Sequence, residues 1–242
     1  MAEAIVYQTI GSDLSESEEP RIAVIGIGGA GCRTVSMIYG SDSRVRTIAI
    51  NTDRAALQQM RVGLRLLVAK DAELLHQNSS ADDGLVITSA AGFDKAVCKA
   101  VAGIDLVIVA SGMGGHAGTE MTPMVVNLCD LLGIKTTAIA VMPFSFESSD
   151  RQLVAADGYR MLHAVCKNLI QVKNDMVLDE PLSSVSDAMD KVNRHIVELI
   201  TNEIEDSYRV VRDGVSRRSA KLREGADAGS QPLMDAPQVL GF

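Results

Sequence analysis

The chain has no tryptophan and only four tyrosines and four phenylalanines among its 242 residues. Single-stranded nucleic acid is held on rows of aromatic faces, so that kind of platform is excluded. Positive charge is also short: 23 Lys+Arg stand against 31 Asp+Glu, a net charge of -8. A nucleic-acid binder carries a basic footprint, so no nucleic-acid partner is expected. No apolar run reaches the roughly 18 residues of a membrane span. The acidic start lacks a charged-then-apolar leader, so no secretory signal is expected either. Cysteine is sparse. Cys32, Cys98, Cys129 and Cys166 have neither metal-ligand spacing nor disulfide density, and they read as small buried apolar residues. His76, His116, His163 and His195 show no paired spacing, so no protein metal site is expected. These absences describe a cytoplasmic, reducing setting. What is abundant is apolar bulk: 47% of residues are hydrophobic and 22% charged, enough to bury a sizeable core.

Residues 1–20 carry Glu3, Asp13, Glu16, Glu18 and Glu19 with no basic residue before Arg21, and read as a flexible acidic arm. Strand and helix patterns then alternate through residue 180. Short apolar runs at 21–26, 46–50, 64–68, 105–110, 135–142 and 169–172 read as strands. Helical stretches fall at 30–39, 90–101, 119–132 and 152–166. The run at 105–110 is apolar on both faces, as in a parallel strand buried on both sides. This alternation predicts an α/β domain with a doubly wound, mostly parallel sheet. Over 181–224, Val185, Met189, Val192, Ile196 and Leu199 recur at steps of three and four, and Ile200, Ile204, Tyr208, Val211 and Val215 continue them. That spacing predicts one long amphipathic helix, lying along the sheet domain rather than forming a dimerising coil. Residues 225–242 hold Gly, Ala, Ser and Pro, read as a disordered tail, and end in Val239-Leu240-Gly241-Phe242.

Two glycine loops follow strands and open helices. The first is Gly26-Ile27-Gly28-Gly29-Ala30-Gly31. Its glycines let backbone N–H groups approach phosphate oxygens, and the helix N-terminus favours negative charge. Alone it matches a dinucleotide fingerprint, with Asp53 near the place of a ribose-binding acid. The second is Gly112-Met113-Gly114-Gly115-His116-Ala117-Gly118-Thr119. A dinucleotide half needs one such loop, whereas two can cradle a single polyphosphate from two sides.

With the second loop the chain resembles the nucleotide-binding domain of the tubulin/FtsZ superfamily, nearer to FtsZ. The resemblance rests on residues 24–31, Ala49-Ile50-Asn51-Thr52-Asp53, residues 111–123 and Pro143-Phe144-Ser145-Phe146-Glu147, in the family's order. It implies GTP or GDP as ligand, compatible with Mg2+. Phosphate contacts are implied for Gly28, Gly29, Gly31, Gly114, Gly115, Gly118 and Thr119. Asn51 and Asp53 would lie beside them, and Glu147 and Arg151 would meet the ribose. Asn174 and Asp190 would read the guanine edge, where one carboxylate can accept both N1–H and N2–H. The resemblance further implies self-association as a homodimer or filament, and cytoskeletal or membrane-remodelling work.

The departures matter as much. His116 and Glu120 stand at glycine positions of the second loop, Ala117 at a threonine, Arg33 at an asparagine and Ser186 at a stacking aromatic. The glycine-rich loop that should follow the third strand is not recognisable in 69–92. Neither the family's acidic catalytic loop nor its second domain follows the long helix, so the likeness is to short FtsZ-like proteins. GTPase turnover is therefore expected to be very slow, and no catalytic residue is assigned. The basic cluster Arg209, Arg212, Arg217, Arg218, Lys221 and Arg223, with the tail, offers a contact for a membrane surface or a protein partner. Two alternatives stay open: a Rossmann-type dinucleotide oxidoreductase, and an FtsZ-like scaffold that has lost nucleotide binding.

Overall fold

The computed structural model describes residues 19–69 and 84–228. The acidic arm through Glu18, most of the loop after the third strand, and the tail from Gly229 lie outside the described residues.

Seven strands form one sheet: β1 (Ile22–Ile27), β2 (Val45–Asn51), β3 (Leu64–Ala69), β4 (Leu85–Ser89), β5 (Leu106–Gly112), β6 (Lys135–Met142) and β7 (Asn168–Lys173). Their spatial order is β4-β3-β2-β1-β5-β6-β7, and every pair is parallel. The first four strands step outward from β1 to one edge. The chain then returns to the other side of β1 and steps outward again. The order reverses between β1 and β5, and in such sheets ligands bind in the crevice beyond the carboxyl ends at that point. Register sharpens the picture. Gly26 of β1 lies opposite Ala110 of β5, and Ile27 opposite Ser111, so the two strands end flush. The loops that leave them therefore start side by side.

β1 is buried along its whole length, and the first six residues of β5 likewise. Their continuous apolar runs are what central strands covered on both faces require. β4 is the strand that periodicity alone did not mark. It is a five-residue edge with Val86 41% exposed, so it carries no clean apolar alternation.

The described helices are α1 (Gly28–Ile38), α2 (Arg54–Gln58), α3 (Phe93–Ala100), α4 (His116–Leu131), α5 (Ser149–Val165) and α6 (Val185–Ala228). One core joins Ala23, Ile25 and Ile27 to Phe93 and Val97 of α3 and Val125 of α4. By strand alternation Ile22 and Val24 face the other way and are equally buried. On α6, Val192, Ile196, Ile200 and Ile204 are buried. Each such side chain contributes roughly 1.5–3 kcal/mol, which outweighs helix-propensity differences below about 1 kcal/mol per residue. Ser184 Oγ accepts from Asp187 N at 3.1 Å and Asp187 Oδ2 accepts from Ser183 N at 3.0 Å, which fixes where α6 begins. Thr34 Oγ1 donates to Asn193 Oδ1 at 3.4 Å, and Thr137 Oγ1 donates to Glu203 Oε1 at 3.0 Å.

Residues 20–205 form one compact unit, and α6 beyond Glu205 belongs to a second. In the latter, Arg209 pairs with Asp206 at 3.0 Å. α6 runs through Ala228, past the end expected at 224. Gly225 alone costs a helix only about 1 kcal/mol relative to alanine and need not stop it. No helix among the described residues is long and apolar enough to cross a membrane.

Candidate functional site

A cavity of about 320 Å³ lies at the switch point. Its walls come from both glycine loops, the end of β2, the turn after β6, the short 3-10 turn after β7, and the first turns of α6. Gly28, Gly29, Gly115 and Gly118 line it, with Asn51, Glu147, Arg151 and Asn174.

Of the helices in the unit, α1, α3 and α4 lack a side-chain N-cap, and two of these, α1 and α4, open onto the cavity. α2 is capped by the Asp53 side chain and α5 by that of Ser148. α1 begins after Ile27 and α4 after Gly115, and neither has a side-chain cap. A helix leaves its first N–H groups without intrahelical partners, and the dipole places partial positive charge there. Two uncapped N-termini facing one cavity suit an anion with several oxygens. A Cβ placed on Gly29 or Gly115 would meet nothing within 4 Å, so their backbone is open to the cavity. Gly28 and Gly114 have φ of +71° and +86°, a backbone that other residues rarely adopt, and these turns aim the loops.

The remaining glycines of the loops do different work. A Cβ on Gly31 would overlap the Ala110 carbonyl oxygen, and one on Gly118 the Gly112 carbonyl oxygen. Gly31 thus packs α1 against β5 and does not line the cavity. Thr119 is also buried and off the cavity; its hydroxyl accepts from Gly114 N at 2.9 Å and staples the second loop. Gly114 lies behind its neighbour Gly115, against Arg151.

Asn174 is 6% exposed, lines the cavity, and its Oδ1 has no hydrogen-bond partner. A buried acceptor left unmet costs of order 1–3 kcal/mol. Glu147 is well satisfied: its Oε1 accepts from Phe144 N at 2.8 Å and its Oε2 lies 2.9 Å from Arg151 Nε. Asn51 Oδ1 accepts from Thr52 N at 2.8 Å and fixes the turn after β2.

Asp53 and Asp190 do not line the cavity. Asp53 is exposed and spends its carboxylate on Ala56 N at 3.0 Å, as the cap of α2. Asp53 is therefore not in the lining, where the dinucleotide alternative would need it. Asp190 is exposed on α6, while Met189, Val192 and Asn193 face the cavity. Asn193 is the residue that motif reasoning missed. Its signal was a polar residue four positions after Met189 and three before Ile196, within the apolar stripe. Arg33 and His116, marked above as departures, both line the cavity.

Cys32, beside the first loop, is not a nucleophile. Burial pushes its thiol up to about 12, against the opposing pull of the Ile50 carbonyl bond and Arg33. Burial likewise raises Cys129 to about 11. Among the described residues no group of three or more His, Cys, Asp and Glu side chains could hold a metal.

Residues 21–180 match the family model described as the Tubulin/FtsZ family, GTPase domain. The chain is 29% identical over 245 aligned positions to cell division protein FtsZ of Buchnera aphidicola subsp. Acyrthosiphon pisum, covering 91% of this chain and 64% of that protein. It is 28% identical over 215 positions to cell division protein FtsZ 1 of Pyrococcus abyssi, covering 82% and 57%. The chain thus spans less than two thirds of the length of these curated relatives. Among solved structures, an empty FtsZ dimer from M. jannaschii aligns with a TM-score of 0.66 at 22% identity, over 79% of this chain and 56% of that one. A GTPgS-bound protofilament of CetZ2 from Haloferax volcanii aligns at 0.63 and 20% identity, over 78% and 59%. At such identities the structures speak to the fold alone. The extent of the family match carries the assignment: the chain belongs to the tubulin/FtsZ family, and residues 21–180 are its GTPase domain.

Proposed function

We propose that the switch-point cavity binds a guanine nucleotide and that the protein acts as a nucleotide-dependent assembly or switch module. The observation that carries this is Asn174, a residue of the cavity lining whose buried Oδ1 has no donor, while two uncapped helix N-termini open onto the same space. The guanine edge offers adjacent N1–H and N2–H donors for that oxygen. Asn193 also lines the cavity, 3.4 Å from the Thr34 hydroxyl, and its amide would meet the base beside Asn174. Base recognition is assigned to Asn174 and Asn193, and Asp190 takes no part. Gly28, Gly29, Gly115 and Gly118 would hold the phosphates, with Glu147 and Arg151 toward the ribose. Mg2+ would ride on phosphate oxygens and water rather than in a protein cage, as that ion commonly does.

Hydrolysis by the isolated chain is slow in this reading. Phosphoryl transfer needs a positioned water and charge stabilisation. The described residues at the cavity offer Glu147 as their carboxylate, and Arg151 already occupies it. The dimer and the protofilament seen for the FtsZ and CetZ2 neighbours support self-association of this chain. The basic stretch 209–223 and the tail would bring it to a membrane surface or a protein partner from the cytoplasm.

Calorimetric titration with GTP, GDP, ATP and NAD tests the core of this, alongside sedimentation with and without GTP. Tight binding of the guanine nucleotides, weaker ATP and no NAD binding is the expected pattern. Equal affinity for ATP and GTP would remove the guanine assignment. A folded protein that binds none of the four is the scaffold instead, a reading that Ala117 and the exposed Asp190 favour.

A further inference from the structure

Charge is divided unevenly along the chain. Residues 1–19 hold five acids (Glu3, Asp13, Glu16, Glu18 and Glu19) and no lysine or arginine. Residues 209–223 hold six cations (Arg209, Arg212, Arg217, Arg218, Lys221 and Arg223) against the single acid Asp213. The two stretches cancel, at -5 and +5, so the remainder of the chain carries the whole net charge of -8. The basic stretch lies on α6, which continues as helix through Ala228. Where its side chains are described it meets water: Arg209 is 64% exposed, and Arg212 and Asp213 are exposed as well. Arg209 reaches Asp206 at 3.0 Å, but a pair so open contributes little and is readily exchanged for another.

Both stretches join the compact unit 20–205 at the same end of the sheet. The acidic arm enters at Pro20, just ahead of β1. α6 starts at the cavity, by the carboxyl ends of the strands, with Met189 and Val192 in the lining. It then runs back along the sheet. Thr137 Oγ1 donates to Glu203 Oε1 at 3.0 Å, and Thr137 lies in one row with Ile108 and Val24. That row is two residues in from the start of β1, so α6 leaves the unit at Glu205 by the amino ends of the strands. Only β5 separates β1 from β6. The usual strand spacing then sets them about 10 Å apart. The eighteen residues before Glu19 could span about 60 Å if extended, so reach is ample. A tether of this kind holds the arm's carboxylates at an effective concentration of about a millimolar, which any free polyanion must overcome.

We propose that the acidic arm docks on the basic stretch of α6 in the same chain and covers it. Asp13, Glu16 and Glu18 supply carboxylates to the guanidinium and ammonium groups of residues 209–223. The basic stretch is the one assigned a partner above, and the arm regulates it: an anionic surface must displace the arm before it can bind. The contact does not depend on whether the cavity binds a nucleotide.

Zero-length carbodiimide cross-linking of the full chain tests the contact, because it joins a carboxylate to an amine only where the two touch. Lys221 is the one lysine between residues 209 and 223. An amide between Lys221 and an acid of residues 13–19 is expected by mass spectrometry. Asp130 and Lys167, 3.0 Å apart, provide the internal standard. In about 1 M salt, where the screening length is about 3 Å, the arm cross-link should fall at least about fivefold while the standard persists. Mixing isotope-labelled with unlabelled protein separates a bond within one chain from a bond between two copies. Retention on heparin, used as a polyanion probe, reads the covering. Asp13→Asn, Glu16→Gln and Glu18→Gln together should move elution to higher salt. A control with the exposed Asp94→Asn, Asp179→Asn and Glu198→Gln has the same net charge and should move less. An Asp130–Lys167 cross-link with none from the arm to Lys221 overturns the proposal, as does an arm cross-link found only between copies. Equal retention of the two triple variants overturns the covering.

Discussion

The two glycine loops at the switch point look alike as text and divide their labour in the same way, yet they present different chemistry. Each has a glycine sealed against backbone, Gly31 on the Ala110 carbonyl and Gly118 on that of Gly112. Each also has one facing open space, Gly29 and Gly115. The first loop adds to its backbone only Arg33, one turn along α1. The second is stapled by Thr119 and carries His116 and Glu120 at its mouth. A glycine in such a motif is therefore not evidence of ligand contact by itself: Gly31 packs and stays off the cavity, whereas Gly118 packs and also lines it. A second comparison teaches the same lesson. The larger cavity, about 620 Å³, lies at the other end of the strands near Val45 and Leu64, and its walls are mainly apolar. No described buried polar atom without a partner belongs to its lining, so size does not mark the functional end.

The strongest way to break the comparison is to fill the sealed positions. Gly31→Val and Gly118→Val would drive methyl groups into neighbouring carbonyl oxygens, which only backbone movement can relieve. We expect losses of about 3 kcal/mol or more, or melting temperatures lower by roughly 6–12 °C for a domain of this size. Gly29→Ala should melt within about 1 °C of wild type, since its Cβ meets nothing. Thermal melts of the three proteins decide this, and equal melting of all three would overturn the packing assignment.

Next in size is the open glycine of the second loop. Gly115→Asp adds a carboxylate where the cavity is open and the φ of -99° suits an ordinary residue. The fold should survive, while GTP affinity should fall at least about tenfold through charge repulsion at the helix N-terminus. Unchanged affinity in a folded protein would show that phosphates do not sit there.

The base end allows a finer test. Asn174→Ala removes the unmet acceptor, so it should not lower the stability of the free protein, yet it should weaken GTP binding by about 1–3 kcal/mol. Asn193→Ala should weaken binding as well, and Asp190→Ala should change it by less than about 0.5 kcal/mol, as exposed surface substitutions do. A larger effect at Asp190 than at Asn193 would reverse the assignment of the base edge.

These positions also mark how far the chain could be read before its structure. β1, β5 and β6 were legible because their apolar runs are buried on both faces, and the doubly wound order followed from their alternation with helices. β4 was not, because an exposed edge strand has no obligatory pattern. Gly28, Gly29, Gly115, Glu147, Arg151 and Asn174, which line the cavity, were marked by the resemblance to the tubulin/FtsZ family rather than by spacing. Asn193 was hidden, since its place depends on how α6 is rotated against Thr34. Three residues separate it from Asp190, a rotation about 60° short of a full turn. That angle takes one side chain into the cavity and leaves the other in water, and nothing in the spacing of the stripe fixes it.

The smallest expected effect concerns what holds the two loop-bearing strands together at their far ends. Arg21, just before β1, donates from its backbone N to Asp105 Oδ2 at 2.8 Å and from its guanidinium at 3.1 Å, just before β5. The Arg21 side-chain bonds hold the Asp105 carboxyl below its usual value, with smaller help from the Arg21 backbone and charge and against a modest desolvation. A carboxyl lowered on folding stabilises the native state above its unfolded value, near 3.9, and that contribution is lost as pH falls through the lower folded value. The pair is about half exposed, at 63% and 48%, so water screens it and the whole effect should be about 1 kcal/mol or less. Melting curves of wild type and Asp105→Asn should therefore lie apart at about pH 6 and converge as pH approaches about 3. Curves that stay parallel over that range would show that this tie contributes nothing, and that the flush ends of β1 and β5 are set by the buried register of the strands alone.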